Sequence, residues 1–121
     1  MEEGNKDYIK LRLATCFRLI LKNKKRISLR NKTQDIEDLR LVDSMRQLEA
    51  ESGLSYTIIQ STLAGKRDIQ FTTLMTMIEN LGLTFTEFAK LYEKTTENQL
   101  NSEKEEIENN RTKKFIKKNR S

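Results

Sequence analysis

Apolar residues recur at spacings of three and four over residues 7–25, at Ile9, Leu13, Cys16, Phe17, Ile20 and Leu21. That spacing places them on one face of a helix. Lys10, Arg18, Lys22 and Lys25 fall largely outside the stripe, and Lys22, Lys24, Lys25 and Arg26 gather where the negative end of the helix dipole favours cations. The pattern then changes. Over 26–43 the pairs Ile27/Leu29 and Leu39/Leu41 alternate with polar residues. Two short strands around "NKTQ" or a short helix after Thr33 both fit, and the stretch reads as an insertion whose form stays open.

A helical pattern resumes at "SMRQLEAES", where Ser44 and Gln47 match the capping-box spacing S-x-x-Q. Gly53 can take the left-handed conformation that ends this helix. Ser55 can cap the next, "SYTIIQSTLA", which Gly65 stops. Phe71, Leu74, Met77, Ile78 and Leu81 mark a further helix face that ends at Gly82. Thr84 and Glu87 form a second capping box, opening a helix whose apolar side is Phe85, Phe88, Leu91 and Tyr92. Four or five short helices with glycine turns predict an all-α fold, a compact bundle over residues 1–93. Residues 94–121 differ. Leu100, Ile107, Phe115 and Ile116 are their only large apolar groups, too few to offset the ordering entropy. A charged tail, flexible or ordered by a partner, is expected there.

Composition narrows the function classes. The 121 residues include no histidine and one cysteine. His-based triads, His-based zinc sites and an intramolecular disulfide are therefore ruled out. No glycine-rich phosphate loop is present, so an enzyme is not expected and no cofactor is implied. Cys16 falls on an apolar face and reads as a buried thiol. No apolar run approaches the roughly 20 residues a membrane span needs, and "MEEGNKD" does not read as a secretory signal. A cytoplasmic protein without membrane contact is expected. The net charge is +5, but it is uneven: residues 1–43 carry eleven cations and seven anions, 44–93 four and six, and 94–121 eight and five. The middle segment is thus not basic. A polyanion partner would have to be held by the first helix, a few local cations and the tail, where Lys113, Lys114, Lys117, Lys118 and Arg120 are either a loose clamp or a solubilising end.

Two short helices joined by a tight glycine-containing turn form a helix-turn-helix. In residues 44–65, Leu48 and Ile59 can meet inside the corner and Leu54 can plug the turn. The side chains left facing out on the second helix are Ser55, Tyr56, Thr57, Gln60 and Ser61. Small and hydrogen-bonding groups of this kind suit reading of the DNA major groove. The run "SMRQLEAESGLSYTIIQSTLAGKRDIQFTTLMTMIENLGLTFTEF" resembles the Cro/phage-repressor type (xenobiotic-response-element type) of helix-turn-helix domain. Leu48, Ser52, Gly53, Leu54, Ser55, Ile59, Gly65, Thr73, Leu74, Ile78, Leu81, Gly82, Leu83 and Thr84 stand in the family's register, over about residues 44–91.

The resemblance implies a phage-repressor-like bundle of about five helices, with 7–25 as the first and 71–93 holding the last. It implies that helix 55–63 lies in the major groove of double-stranded DNA. Tyr56, Thr57, Gln60 and Ser61 would then face base edges, and Ser44, Arg46, Gln47, Lys66 and Arg67 would lie near phosphates. The function implied is sequence-specific transcription regulation in a bacterium or phage, by a homodimer for which Phe88, Leu91, Tyr92 and the tail are candidate contacts. The chain departs from the family pattern at Glu49, Leu63 and Ile69, and in the long connection after the first helix. Glu49 replaces a small residue, which calls for a partner cation or a slightly opened corner. A rival reading is an antitoxin-like module whose residues 94–121 bind a partner protein.

Overall fold

The structure, a computed structural model, describes residues 3–33 and 45–119. These form six helices and no strand: α1 (Glu3–Thr33), α2 (Met45–Ser52), α3 (Tyr56–Leu63), α4 (Phe71–Asn80), α5 (Phe85–Lys94) and α6 (Glu97–Asn119). None of them is long and apolar enough to cross a membrane.

The periodic residues of the sequence supply the core. Cys16, Phe17 and Ile20 of α1 meet Leu48 of α2, Ile59 and Leu63 of α3, Met77 and Ile78 of α4, Leu81, and Phe88 of α5. Phe17 and Phe88 stack at 4.9 Å between ring centres. Cys16 is fully buried, as expected, and its thiol lies 3.4 Å from the Thr95 hydroxyl. Burial pushes that thiol's pKa up, against the opposing effects of the Thr95 bond and the Arg12 charge. Arg12 also closes the end of α5: its guanidinium donates to the carbonyls of Tyr92 (2.7 Å), Glu93 (3.2 Å) and Thr95 (3.4 Å) and lies 4.8 Å from the centre of the Tyr92 ring. These are terminal carbonyls that a helix cannot satisfy by itself.

Three expectations are corrected. First, α1 does not stop at 25 but runs to Thr33, so Ile27 and Leu29 lie on a helix and not on a strand. Neither proline nor glycine falls between 25 and 33 to stop it, and Arg26 bonds back to Asn23 at 2.8 Å. The rest of the insertion, 34–43, lies outside the described residues. Second, Phe71 and Phe85 are 63% and 45% exposed. Each is the first residue of its helix, at the rim of the core, and the two rings stack edge to face at 5.9 Å. Phe88, offered above as a dimer contact, is by contrast 2% exposed and belongs to the core.

The third correction concerns the tail. Residues 97–119 form α6, and it packs along α1. Its start carries a reciprocal cap: Thr96 Oγ1 accepts from the Gln99 N–H, and Gln99 Oε1 accepts from the Thr96 N–H. Leu100 is 2% exposed and Glu103 3%. Glu103 accepts from Arg18 Nε at 2.8 Å and from Lys22 Nζ at 2.7 Å, and Glu106 pairs with the same two cations at 3.0 and 2.6 Å. The segment has few apolar groups, as its composition says. Four charges and one buried leucine secure it instead.

Candidate nucleic-acid interface

The corner between α2 and α3 is made by three small residues with different tasks. Ser52 Oγ donates to the Leu48 carbonyl and accepts the Leu54 N–H at 3.2 Å. Gly53 has φ +75°, a conformation L side chains rarely adopt, and open space around its Cα. Glycine is needed there for its backbone and not for room. Ser55, extended at φ −66° and ψ 148°, caps α3 by accepting the Ile58 N–H at 3.2 Å. Leu48 and Ile59 are fully buried beneath the turn, and half-buried Leu54 packs against the same core. Glu49 is half-buried at the corner.

At the other end of α3, the Gly65 N–H donates to the Thr62 carbonyl and the Lys66 N–H to the Ser61 carbonyl, both at 3.1 Å. This double bond pattern with Gly65 at φ +70° is a Schellman turn. It folds the chain back along the last turn of α3 and brings Arg67 to Ser61, where Arg67 Nε donates to Ser61 Oγ at 2.7 Å.

The surface of α3 follows from these ends. Ile59, Thr62 and Leu63 are buried, Thr57 is exposed, and Tyr56, Gln60 and Ser61 are half-buried. Thr57 and Ser61, four residues apart, share the outward side. Tyr56 flanks them under the Arg46 guanidinium, 4.3 Å from the ring centre, a cation–π arrangement. Gln60 lies on the side nearer α6 and lines a cavity of about 140 Å³ with Arg18, Met45, Leu63, Ala64, Ile107 and Asn110. Ser55, Arg46, Gln47, Lys66 and Arg67 are exposed. Ser44 lies outside the described residues.

The structure therefore gathers Arg46, Ser55, Tyr56, Thr57, Ser61, Lys66 and Arg67 on or beside one face, and turns Gln60 toward its edge. It also singles out two cations of the basic first helix. Lys6 and Lys10 of α1 line a cleft of about 300 Å³ together with Arg67 and Asp68, over Ile9, Leu13, Ile69, Phe71 and Leu74. The sequence pointed to the basic first helix as a whole and to Lys10 as lying off its apolar stripe, without singling out Lys6. Among the described residues, no group of three or more His, Cys, Asp or Glu could hold a metal ion.

No family model, no curated protein and no solved structure matches this chain.

Proposed function

We propose that this protein is a sequence-specific DNA-binding regulator of the helix-turn-helix kind, presenting α3 to the major groove. The observation that carries the reading is the α2–α3 corner: a short helix capped by Ser55, closed by Gly65, and showing hydroxyls and a tyrosine between two arginines. A groove about 12 Å wide admits such a helix, and hydroxyls can serve either as donors or as acceptors to base edges. Lys66, Lys10 and Lys6 supply cations for the flanking phosphates, while Tyr56 and Thr57 supply contacts that depend on sequence.

A helix of eight residues is about 12 Å long and spans few base pairs. Two copies on adjacent half-sites about 34 Å apart would give the affinity one lacks, so we propose a homodimer on DNA. That role puts the protein in the cytoplasm with the chromosome. The rival reading, an antitoxin-like module with residues 94–121 given to a protein partner, has less support. Leu100 and Glu103 of that segment are already engaged by α1.

The test is selection of the full chain on a random double-stranded DNA library, followed by affinity on the selected and a scrambled site. Enrichment of one site with a preference of about 10³ or more fits the reading. No enrichment, with only weak binding that salt abolishes, refutes it.

A further inference from the structure

We propose that Arg67 is a base-reading residue, one that recognises a guanine in the major groove, and that Ser61 holds it in position. The proposal rests on the DNA-binding reading and goes further, because position alone would give Arg67 to a phosphate.

The geometry around Ser61 favours the base. Its hydroxyl hydrogen is directed at the carbonyls of Thr57 (2.8 Å) and Ile58 (3.1 Å). The oxygen is thereby oriented as an acceptor, and Arg67 Nε–H occupies it at 2.7 Å. A guanidinium can meet a planar ligand side-on, through Nε and one Nη, or end-on, through both Nη groups. Ser61 takes the Nε hydrogen and leaves the end-on pair. Among the described residues no carboxylate pairs with Arg67, and Asp68 beside it makes no ion pair with it. Two parallel Nη–H groups next to the exposed side of α3 match the O6 and N7 acceptors that guanine shows in the major groove.

A phosphate anchor needs no such fixing. Lys66, one residue earlier and equally exposed, is a mobile point charge that suits that task. A tethered arginine loses less side-chain freedom on binding and can impose direction, and direction is what discriminates bases. The tether itself depends on the Schellman turn at Gly65, which brings the exit of α3 back over its last turn.

The experiment takes the site selected by the full chain and measures affinity at several salt concentrations for the wild type, Arg67→Ala, Arg67→Lys and Ser61→Ala. Each guanine of the site is replaced in turn by adenine (with thymine opposite) or by 7-deazaguanine, which lacks the N7 acceptor. For one guanine, the wild type should lose about 10-fold or more with adenine, and several-fold with 7-deazaguanine. Arg67→Ala should bind all three DNAs alike. Arg67→Lys and Ser61→Ala should keep only part of the preference, with affinity for scrambled DNA nearly unchanged. Thermal transitions of the two Arg67 variants should stay close to wild type, since Arg67 is exposed. If Arg67→Ala weakens every DNA equally, keeps each base preference and lowers the salt slope by about one, Arg67 is a phosphate anchor and the inference is overturned. The DNA-binding reading would survive that result. If the wild type selects no site, both fall.

Discussion

Removing α6 should destabilise the whole domain. The perturbation is a chain ending at residue 96, which keeps Thr95 and the Arg12 contacts but loses Leu100, Glu103 and Glu106. Full burial of a leucine side chain contributes about 1.5–3 kcal/mol, and Leu100 is 2% exposed. Loss of one partner from a buried ion pair costs about 3–5 kcal/mol. That figure is an upper bound here, because Arg18 and Lys22 are 17% and 49% exposed and would regain water. The ordering of α6 opposes both gains. A net cost of about 2–4 kcal/mol follows, and at about 4 °C per kcal/mol for a domain of this size the melting temperature should fall by about 10 °C. Circular dichroism at 222 nm during heating and during urea titration would measure it, and the urea m-value should also fall as less surface is buried. Glu103→Ala and Leu100→Ala should each cost less than the truncation, or at most as much, since α6 can undock once its net docking energy is exceeded. A truncated chain melting within about 2 °C of the full chain would refute this reasoning and restore the view of 94–121 as an independent tail.

The same contact predicts a pH window. Its hydrogen bond to Lys22, with the charges of Lys22 and Arg18, holds the Glu106 carboxyl below its ordinary 4.5, so its contribution is present above that value and is lost as acid protonates it. The Lys22 ammonium is desolvated, which alone would lower its pKa, but the bonds to Glu103 and Glu106 raise it above 10.5. Its contribution is full below 10.5 and is lost as pH rises through the raised value. Hydrogen exchange of α6 amides should therefore be slowest relative to free-peptide rates at near-neutral pH, and a protection factor that grows below pH 4 would contradict the pairing. Gly65→Ala should cost about 1–2 kcal/mol in urea denaturation through its left-handed backbone, because the added methyl group would sit at an ordinary 3.5 Å from Leu11 Cα. A neutral result would mean the turn can relax. On the selected DNA site, Thr57→Ala should reduce discrimination more than Gln60→Ala, given the exposed and edge positions of the two. Titrations on matched and scrambled DNA check this, and the reverse order would place the groove nearer α6.

Much of the bundle was legible because local signals agreed with each other. Ser55, Thr84 with Glu87, Gly65 and Gly82 act at the helix ends where their chemistry suggests. The errors have a common source. Hydrophobic periodicity measures what a segment can bury by itself, and α6 docks through Glu103, which a stripe analysis counts as solvated. Its capping box, Thr96 with Gln99, has the same spacing as the one read at Ser44, and a reading from composition passes over it. Phe71 and Phe85 illustrate the converse: they fit the apolar stripe, yet a first-turn position can lie beyond the core's rim. Within the candidate site, the sequence could mark hydroxyls and cations, but not that Arg67 folds back onto Ser61 or that Gln60 turns toward α6. Those depend on long-range packing and on the path of the chain after Gly65.

The structure also changes what the net charge means for DNA binding. A basic first helix was the expected source of phosphate affinity, since residues 44–93 carry a net −2 from four cations and six anions. Yet Arg12 is committed to the end of α5, and Arg18 and Lys22 to Glu103 and Glu106. Of that helix, Lys6 and Lys10 are brought beside the candidate face, where they line the same cleft as Arg67. With Lys66 and Arg46 this gives four cations for phosphates, Arg67 being assigned to a base. At about 0.9 counterion per contact, the affinity of each protomer should fall with a slope near −3.6 in log K against log salt. Binding to the selected site at four or five salt concentrations measures that slope directly. A value well beyond −5 per protomer would mean that further cations, such as those among residues 113–120, also reach the duplex. A value near zero would mean that the face meets no phosphate at all, and that α3 serves a different kind of partner.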